Sequence, residues 1–597
     1  MVIAYRMHWL SFRVIKAMAL LDTVTLVNLV SDTRVVPEFL GPDCVAEKIA
    51  AAPLGVVVVT AGTYDLTDWE TLTHSAGPLV LQAQGAVTFL GGGQDFINLA
   101  GGSFTVNGID FDGFRRVVTF PNDDAAVIDL LSLNWVTCRN AAPSGGLVVY
   151  FPTGAGATVI DFRTYQTNVY DSRQGIHYRG RVERADVHQG EWAGIENYAI
   201  RFGQDWSAAD WCGSVRVRAT HIHDLSNPST SGGTEANGIA VFADFCDVQS
   251  NLIERVTNAL NQDCEGIYTK VRRGKVDNNT LVDACLDEGA IVAKMPQLDP
   301  TDTQGARQQL SIQGNNISFT VLRDFSVGIN IQRSNVLCAG NMIDGAGVNA
   351  IRVGWRNIYS FITIRGNEIV MGGTGATTGG APAAAILVYA YGEQVAVEDN
   401  AIFGAPYRGI VAATEASGAT RYPTGYAPIR TGLKIKRNRI FGTGTRGIDV
   451  TLDATEPVAK VAIVGNEVAG FSQYPVAISA PNSSDWRYQD NDLDANTKFF
   501  SVPANLRVRG SEFRAAGADS VSSGSTSKTI SHGINQDLFA KASRYDVQIT
   551  PGTGWGTASS WWVSALAAGS LTISVNAAPG ASLSFGWRMS LEDRLLP

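Results

Sequence analysis

Three acidic side chains recur at one offset from an aliphatic marker. Glu235, Asp263 and Asp287 stand four residues before Ile239, Ile267 and Ile291, and Lys270 and Lys294 stand three residues after the last two isoleucines. Asn237, Glu265 and Glu288 flank the acids. If the isoleucines stack on one another, the acids form a ladder beside a lysine pair. Like charges that close disfavour joint ionisation unless a cation or an ammonium compensates. Carboxylates with an amide oxygen are hard donors suited to Ca2+. A second chemistry is glycoside hydrolysis by a carboxylate pair drawn from Glu235, Asp263, Glu265, Asp287 and Glu288, whose separation would decide retention or inversion. A third reading is a solvated polar ladder whose cross-coil ion pairs contribute little.

The elements that must position these residues are written in a repeat. Between Asn251 and Asn491 an Asn, any residue, then Ile, Leu, Val or Met returns nine times, with Asn-to-Asn steps of 28, 36, 26, 26, 33, 38, 28 and 25 residues. Units of that size cannot bury an apolar face alone and must share a core by stacking. A second column, Gly-Ile or Ala-Ile, runs in step from Gly175-Ile176 and Gly194-Ile195 through Gly238-Ile239, Gly266-Ile267 and Ala290-Ile291 to Ala477-Ile478. Around each column apolar and polar residues alternate, as in Leu433-Lys434-Ile435-Lys436, which is strand period. Short strands with Gly and Asn at corners needing positive φ predict an all-β chain wound as a right-handed parallel β-helix solenoid.

Two resemblances within the repeat region add expectations. The phrase Gly55-Val56-Val57-Val58-Val59-Thr60-Ala61-Gly62-Thr63-Tyr64-Asp65-Leu66 resembles the first coil of pectate-lyase-like and phage tailspike proteins. This implies a polysaccharide partner, a homotrimer and association with other proteins of a phage-like particle. The segment Asp263-Cys264-Glu265-Gly266-Ile267-Tyr268-Thr269-Lys270, followed by Asn278-Asn279-Thr280, resembles polysaccharide lyase family 6. Carried over, Asp263 and Glu265 would hold Ca2+ with Asn237 as third ligand, and Lys270 would take the C5 proton of a uronate. Where that family has an Arg followed by His-Gly, this chain has Lys294-Met295-Pro296. Lys294, Glu235, Asp287 and Glu288 complete the catalytic candidates. Tyr268, Arg272 and Arg273, with His221 and His223 on the preceding coil, are the candidates for holding substrate. His221-Ile222-His223 sets two imidazoles on one strand face, and no third metal ligand is evident beside them. Trp192, Tyr198, Trp206 and Trp211 are aromatic faces on which sugars or core neighbours can pack.

Residues 1–52 read differently: 11–21 and 45–52 carry helical spacing. Tyr5-Arg6-Met7, Asp22-Thr23-Val24-Thr25-Leu26-Val27-Asn28-Leu29-Val30 and Val35-Val36-Pro37-Glu38-Phe39-Leu40-Gly41 resemble the carboxyl-terminal end of lipid-A-disaccharide synthase. Residues 53–509 are assigned to the β-helix. Residues 510–597, with short alternating strands such as Tyr545-Asp546-Val547-Gln548-Ile549, predict a small β-sandwich that resembles the terminal domains of phage tail fibres.

Bulk properties narrow the function. The net charge of −9 gives no support for nucleic-acid binding. Seven dispersed cysteines without CxxC spacing read as buried thiols. No apolar run is free of charge over a membrane-spanning length, since residues 14–30 contain Lys16 and Asp22. No cleavage site follows that run, so the expected location is extracellular or on a virion, reached by lysis or particle assembly rather than by a signal peptide.

Overall fold

The computed structural model describes residues 33–36 and 55–596 with internal breaks, the longer ones at 205–210, 229–234, 259–263, 295–308, 321–325, 355–360, 373–382, 414–429, 452–457 and 538–545. The expected helices at 11–21 and 45–52 lie outside the described residues. Within 1–52, Thr33–Val36 is a strand that pairs in parallel with Val56–Leu66. Every element among the described residues is a strand. The chain divides into two units, 1–275 with 296–299, and 276–295 with 300–597.

In the first unit, each coil crosses three parallel sheets, and each sheet turns one apolar column inward. The columns run Val148, Ile176, Ile200, Ile239; Phe162, Ala185, Val215, Cys246; and Val169, Trp192, Ile222, Ile253. All twelve are fully buried. Full burial of an Ile or Val side chain contributes about 1.5–3 kcal/mol, so the columns supply much of the drive to stack. Trp192, a sequence candidate for sugar stacking, is therefore core. The Arg181–Phe202 strand is 22 residues long and passes through a corner, which places Gly194-Ile195 on a different sheet from Gly175-Ile176. Ile200, not Ile195, continues the Ile176 column, because the dipeptide alone does not say which sheet it occupies.

The second unit repeats the scheme. Ile291, Ile329, Ile351, Ile386, Ile410 and Ile448 stack in one column, which Val476 continues in place of the expected Ile478. Gly fills the position before several of these isoleucines for a steric reason. A Cβ on Gly409 would lie 2.3 Å from Ile440, and one on Gly447 would lie 2.1 Å from Val468.

The recurring Asn forms a buried bracket. Asn315 Nδ2 donates to Asn341 Oδ1, Asn341 to Asn367, Asn367 to Asn400, Asn400 to Asn438, Asn438 to Asn466 and Asn466 to Asn491, at 2.9–3.0 Å. Each Nδ2 also donates to a backbone carbonyl, as Asn367 does to Cys338 O. The residue before each Asn has positive φ: Asn278, Asp399, Arg437 and Asp490 at 52–58°, and Gly314, Gly340, Gly366 and Gly465 at 61–66°. That backbone requirement explains why Gly, Asp or Asn so often precedes the motif.

The second unit ends in two three-stranded antiparallel sheets. One contains Arg514–Val521, Leu583–Ser590 and Asp546–Pro551, the other Ser527–Ser531, Ser570–Val575 and Trp561–Ala567. Val521, Leu571, Ile573, Phe585 and Met589 are buried in them. Trp587 is buried as well, whereas Trp561 and Trp562 are 37% and 45% exposed.

Candidate functional site

In the first unit the strands through Ile200, Ile239 and Ile267 alternate from those isoleucines onward, so the residues that follow the inward isoleucines face outward. Arg201, Ala240 and Phe242 alternate with Ile200, Ile239 and Val241, and Tyr268, Lys270 and Arg272 alternate with Ile267, Thr269 and Val271. On this outer face Tyr198, Trp211, Ala240 and Phe242 form a buried apolar cluster with Tyr268 packed against it. Gly238 keeps successive strands close, since a Cβ there would lie 2.6 Å from Gly266 O.

Cations lie over this aromatic shelf. The Arg201 guanidinium is 4.6 Å from the Tyr198 ring centroid and 5.0 Å from that of Phe242. Lys270 Nζ lies 5.8 Å from the Tyr268 ring and 6.0 Å from Phe242. Both side chains are largely withdrawn from water, with Arg201 6% and Lys270 7% exposed, a setting in which cation–π attraction counts most. At the edge, Trp211 Nε1 donates to Asp244 Oδ1 (3.0 Å), and Arg272 pairs with the same carboxylate at 3.2 Å.

A titratable row continues from the shelf. Glu235 accepts a 2.5 Å hydrogen bond from the Tyr198 hydroxyl and lies 3.8 Å from Arg201, with half of its side chain in solvent. Burial is the main cause that pushes the Tyr198 phenol well up, and the adjoining carboxylate adds to it. His177 is packed between Phe151 and Tyr198, each ring 4.5 Å away. Burial, then Arg201 and Arg179, hold its pKa well below the ordinary value. Arg179 Nε donates to Nε2 (3.0 Å), so the neutral ring carries its proton on Nδ1, which has no partner among the described residues.

The structure brings together only part of the sequence-derived set. Glu235, Asn237, Glu265, Tyr268, Lys270 and Arg272 belong to this sheet. Asn237 and Glu265 occupy equivalent places two residues before Ile239 and Ile267 and are 1% and 3% exposed. Arg273 sits exposed next to the corner Gly274, with the opposite parity to Lys270. Asp263, Asp287 and Trp206 lie outside the described residues. Glu288 and Lys294 belong to the second unit, where they pair at 2.7 Å. His221 and His223 lie on a different sheet of the first unit, in register with Glu191 and Ala193. The sequence reading passed over Arg201 and Phe242. Their parity relative to Ile200 and Ile239 was the signal that could have found them. It also passed over a groove of about 520 Å3 in the second unit, lined by Lys434, Lys436, Lys460, Arg487 and Arg507 beside Asp485 and Trp486. Register stacks its cations, since Lys434 pairs with Ala462, which pairs with Arg487 and then Arg507.

Comparison with known proteins touches the two regions separately. Residues 1–65 match the family model for lipid-A-disaccharide synthetase. Over 51 residues the chain is 63% identical to lipid-A-disaccharide synthase of Ruegeria pomeroyi, a match covering 8% of this chain and 13% of that relative. Among solved structures, a double mutant of the tailspike protein of E. coli bacteriophage HK620, in complex with a pentasaccharide, is 12% identical over 93% of this chain and 90% of its own, with a TM-score of 0.41. The tailspike protein gp49 of Pseudomonas phage LKA1 is 9% identical over 93% of both chains, with a TM-score of 0.35. The A-module of an Azotobacter vinelandii mannuronan C-5 epimerase is 12% identical over 76% of this chain and 93% of its own, with a TM-score of 0.28.

Proposed function

We propose that this chain binds an acidic polysaccharide across the outer face that carries Tyr198, Arg201, Phe242, Tyr268 and Lys270, and cleaves it there. The observation that carries the reading is the pair of desolvated cations held over aromatic rings. Sugar rings stack through C–H faces on such aromatics, and a carboxylate on the sugar finds Arg201 or Lys270 with little competition from water. The cationic groove around Lys434 and Arg487 supports the acidic class of polymer.

For cleavage, Lys270 in its neutral form would take the proton α to a uronate carboxylate, with Arg201 remaining the cation that meets the carboxylate. The C4–O bond then breaks as the C4–C5 double bond forms, and the leaving oxygen takes up a proton. Asn237 supports a bound cation: the side chain is 1% exposed and its buried Oδ1 has no hydrogen-bond partner among the described residues. Asn237, Glu265 and Asp263 would hold Ca2+, which would neutralise the uronate carboxylate. Hydrolysis is the second reading, favoured by the half-exposed Glu235 carboxylate held by Tyr198 and Arg201. A binding-only spike is the remaining class. Association with a phage-like particle as a homotrimer belongs to the same proposal, supported by the opening coil phrase and the exposed Trp561 and Trp562. Glycosyl transfer is not part of it, because the chain spans only 13% of the synthase it matches.

The test is incubation with a panel of acidic polysaccharides, with and without chelator, following absorbance of the new C4–C5 double bond. Elimination predicts a chelator-sensitive signal that Lys270→Ala abolishes. New reducing ends without unsaturation, lost in Glu235→Gln, would replace elimination by hydrolysis. Glycan binding weakened by Arg201→Met with neither product would leave an adhesin. No binding to any of the panel would overturn the proposal.

A further inference from the structure

On a different sheet of the first unit, three coils bring imidazoles and carboxylates to one spot. His221 and His223 are two residues apart on the Cys212–Asn227 strand and so project from one face. Glu191 lies in register with His221 on the preceding coil, and Glu254 lies in register with His223 on the following one. The ligating atoms of Glu191, His221 and His223 all fall within 4.8 Å of one another. Glu254 Oε2 is 2.9 Å from His221 Nε2, which adds a fourth donor.

The surroundings are those of a built site. His223 Nδ1 is 2.7 Å from Asp224 Oδ2, and Asp224 is itself gripped by Arg255 through two bonds of 2.6 and 3.0 Å. A carboxylate on Nδ1 fixes the imidazole tautomer and turns the Nε2 lone pair toward a metal, the usual outer support of a histidine ligand. His223 Nε2 already faces Glu191 Oε1 at 3.0 Å. The other oxygen, Glu191 Oε2, accepts from the Tyr170 hydroxyl at 2.7 Å, which holds the carboxylate with Oε1 against His223. The two imidazole rings lie 4.4 Å apart at 34°.

We propose that Glu191, His221 and His223, with Glu254 as a fourth donor, form a binding site for a divalent transition-metal ion of the Zn2+ type. Two imidazole nitrogens with carboxylate oxygens select borderline metals over Ca2+ and Mg2+, which take all-oxygen sets. Because the donors come from three successive coils, the ion would staple those coils together. The site is distinct from the glycan face and does not depend on it.

The test uses the tag-free full chain, stripped with chelator, then titrated with Co2+ by visible absorption and with Zn2+ by calorimetry. One ion per chain is expected, with Zn2+ displacing Co2+ and Ca2+ failing to do so. The pair His221→Ala/His223→Ala abolishes binding, and the isosteric Glu191→Gln weakens it with an unchanged circular dichroism spectrum. Asp224→Asn keeps the stoichiometry and lowers affinity about 10- to 100-fold, as expected of a positioning residue. His188→Ala leaves binding intact. Absence of saturable one-to-one binding would overturn the proposal, as would binding that survives in the Glu191→Gln and double-histidine variants alike.

Discussion

His177 shows how one side chain ties the candidate face to solution conditions. Its ring is buried between Phe151 and Tyr198 and accepts from Arg179. Burial and two neighbouring guanidinium groups keep it neutral in the folded state. In the unfolded chain the ring protonates below its ordinary value of about 6.5. Acid therefore favours the unfolded state, and this stability is lost as pH falls from about 6.5 toward the depressed folded pKa, at a rate of about 1.4 kcal/mol per unit. His177→Phe keeps an aromatic in the slot and removes the titration. Melting curves at pH 7.5, 6.0 and 5.0 are expected to show a smaller acid shift for the variant than for the parent. Equal shifts would mean that His177 is not the acid-sensitive group.

The Asn bracket sets the behaviour of the coils. Asn367 accepts from the backbone N–H and from Nδ2 of Asn341, and donates to Cys338 O and to Asn400 Oδ1. Asn367→Ala strands several of these groups inside the core, at about 1–3 kcal/mol for each one left unsatisfied. Hydrogen exchange at the Asn341 amide is expected to speed up in the variant while amides of the terminal sandwich exchange as before. An unchanged Asn341 rate would show that water replaces the bracket. The recurrence of this Asn and its period were legible in the sequence, but its place was not: positive φ was expected at Gly and Asn corners, and it falls on the residue before each ladder Asn, which is itself buried. The glycan face was only half legible. Lys270 and Glu265 stood out as charges beside the Gly-Ile dipeptide, whereas Phe242, three residues after Ile239 on a strand with the same dipeptide, has the apolar character of a core residue. Arg201 follows Ala199-Ile200 rather than the Gly194-Ile195 dipeptide earlier on its strand. Glu191 was invisible as a partner of His221, since thirty residues separate them and only the strand register joins them.

At the scale of the molecule, the terminal sandwich leaves an apolar edge uncovered. Trp561–Ala567 is an outer strand of its sheet, and Trp561, Trp562 and Leu566 are all more than a third exposed. An exposed apolar edge strand invites pairing with another chain. If the edge joins copies, sedimentation of the parent chain is expected to give a trimer mass, and Trp562→Ser with Leu566→Ser is expected to give a monomer with unaltered strand content. A monomeric parent would remove the assembly role from this edge. The bracket also has a consequence for how such a chain can diversify. Its rungs keep their spacing in space although the step along the chain from one to the next varies from 25 to 38 residues. Alignment is thus renewed at every turn and never accumulates error. Segments grafted between rungs can alter what the surface recognises while the scaffold beneath goes on folding as before.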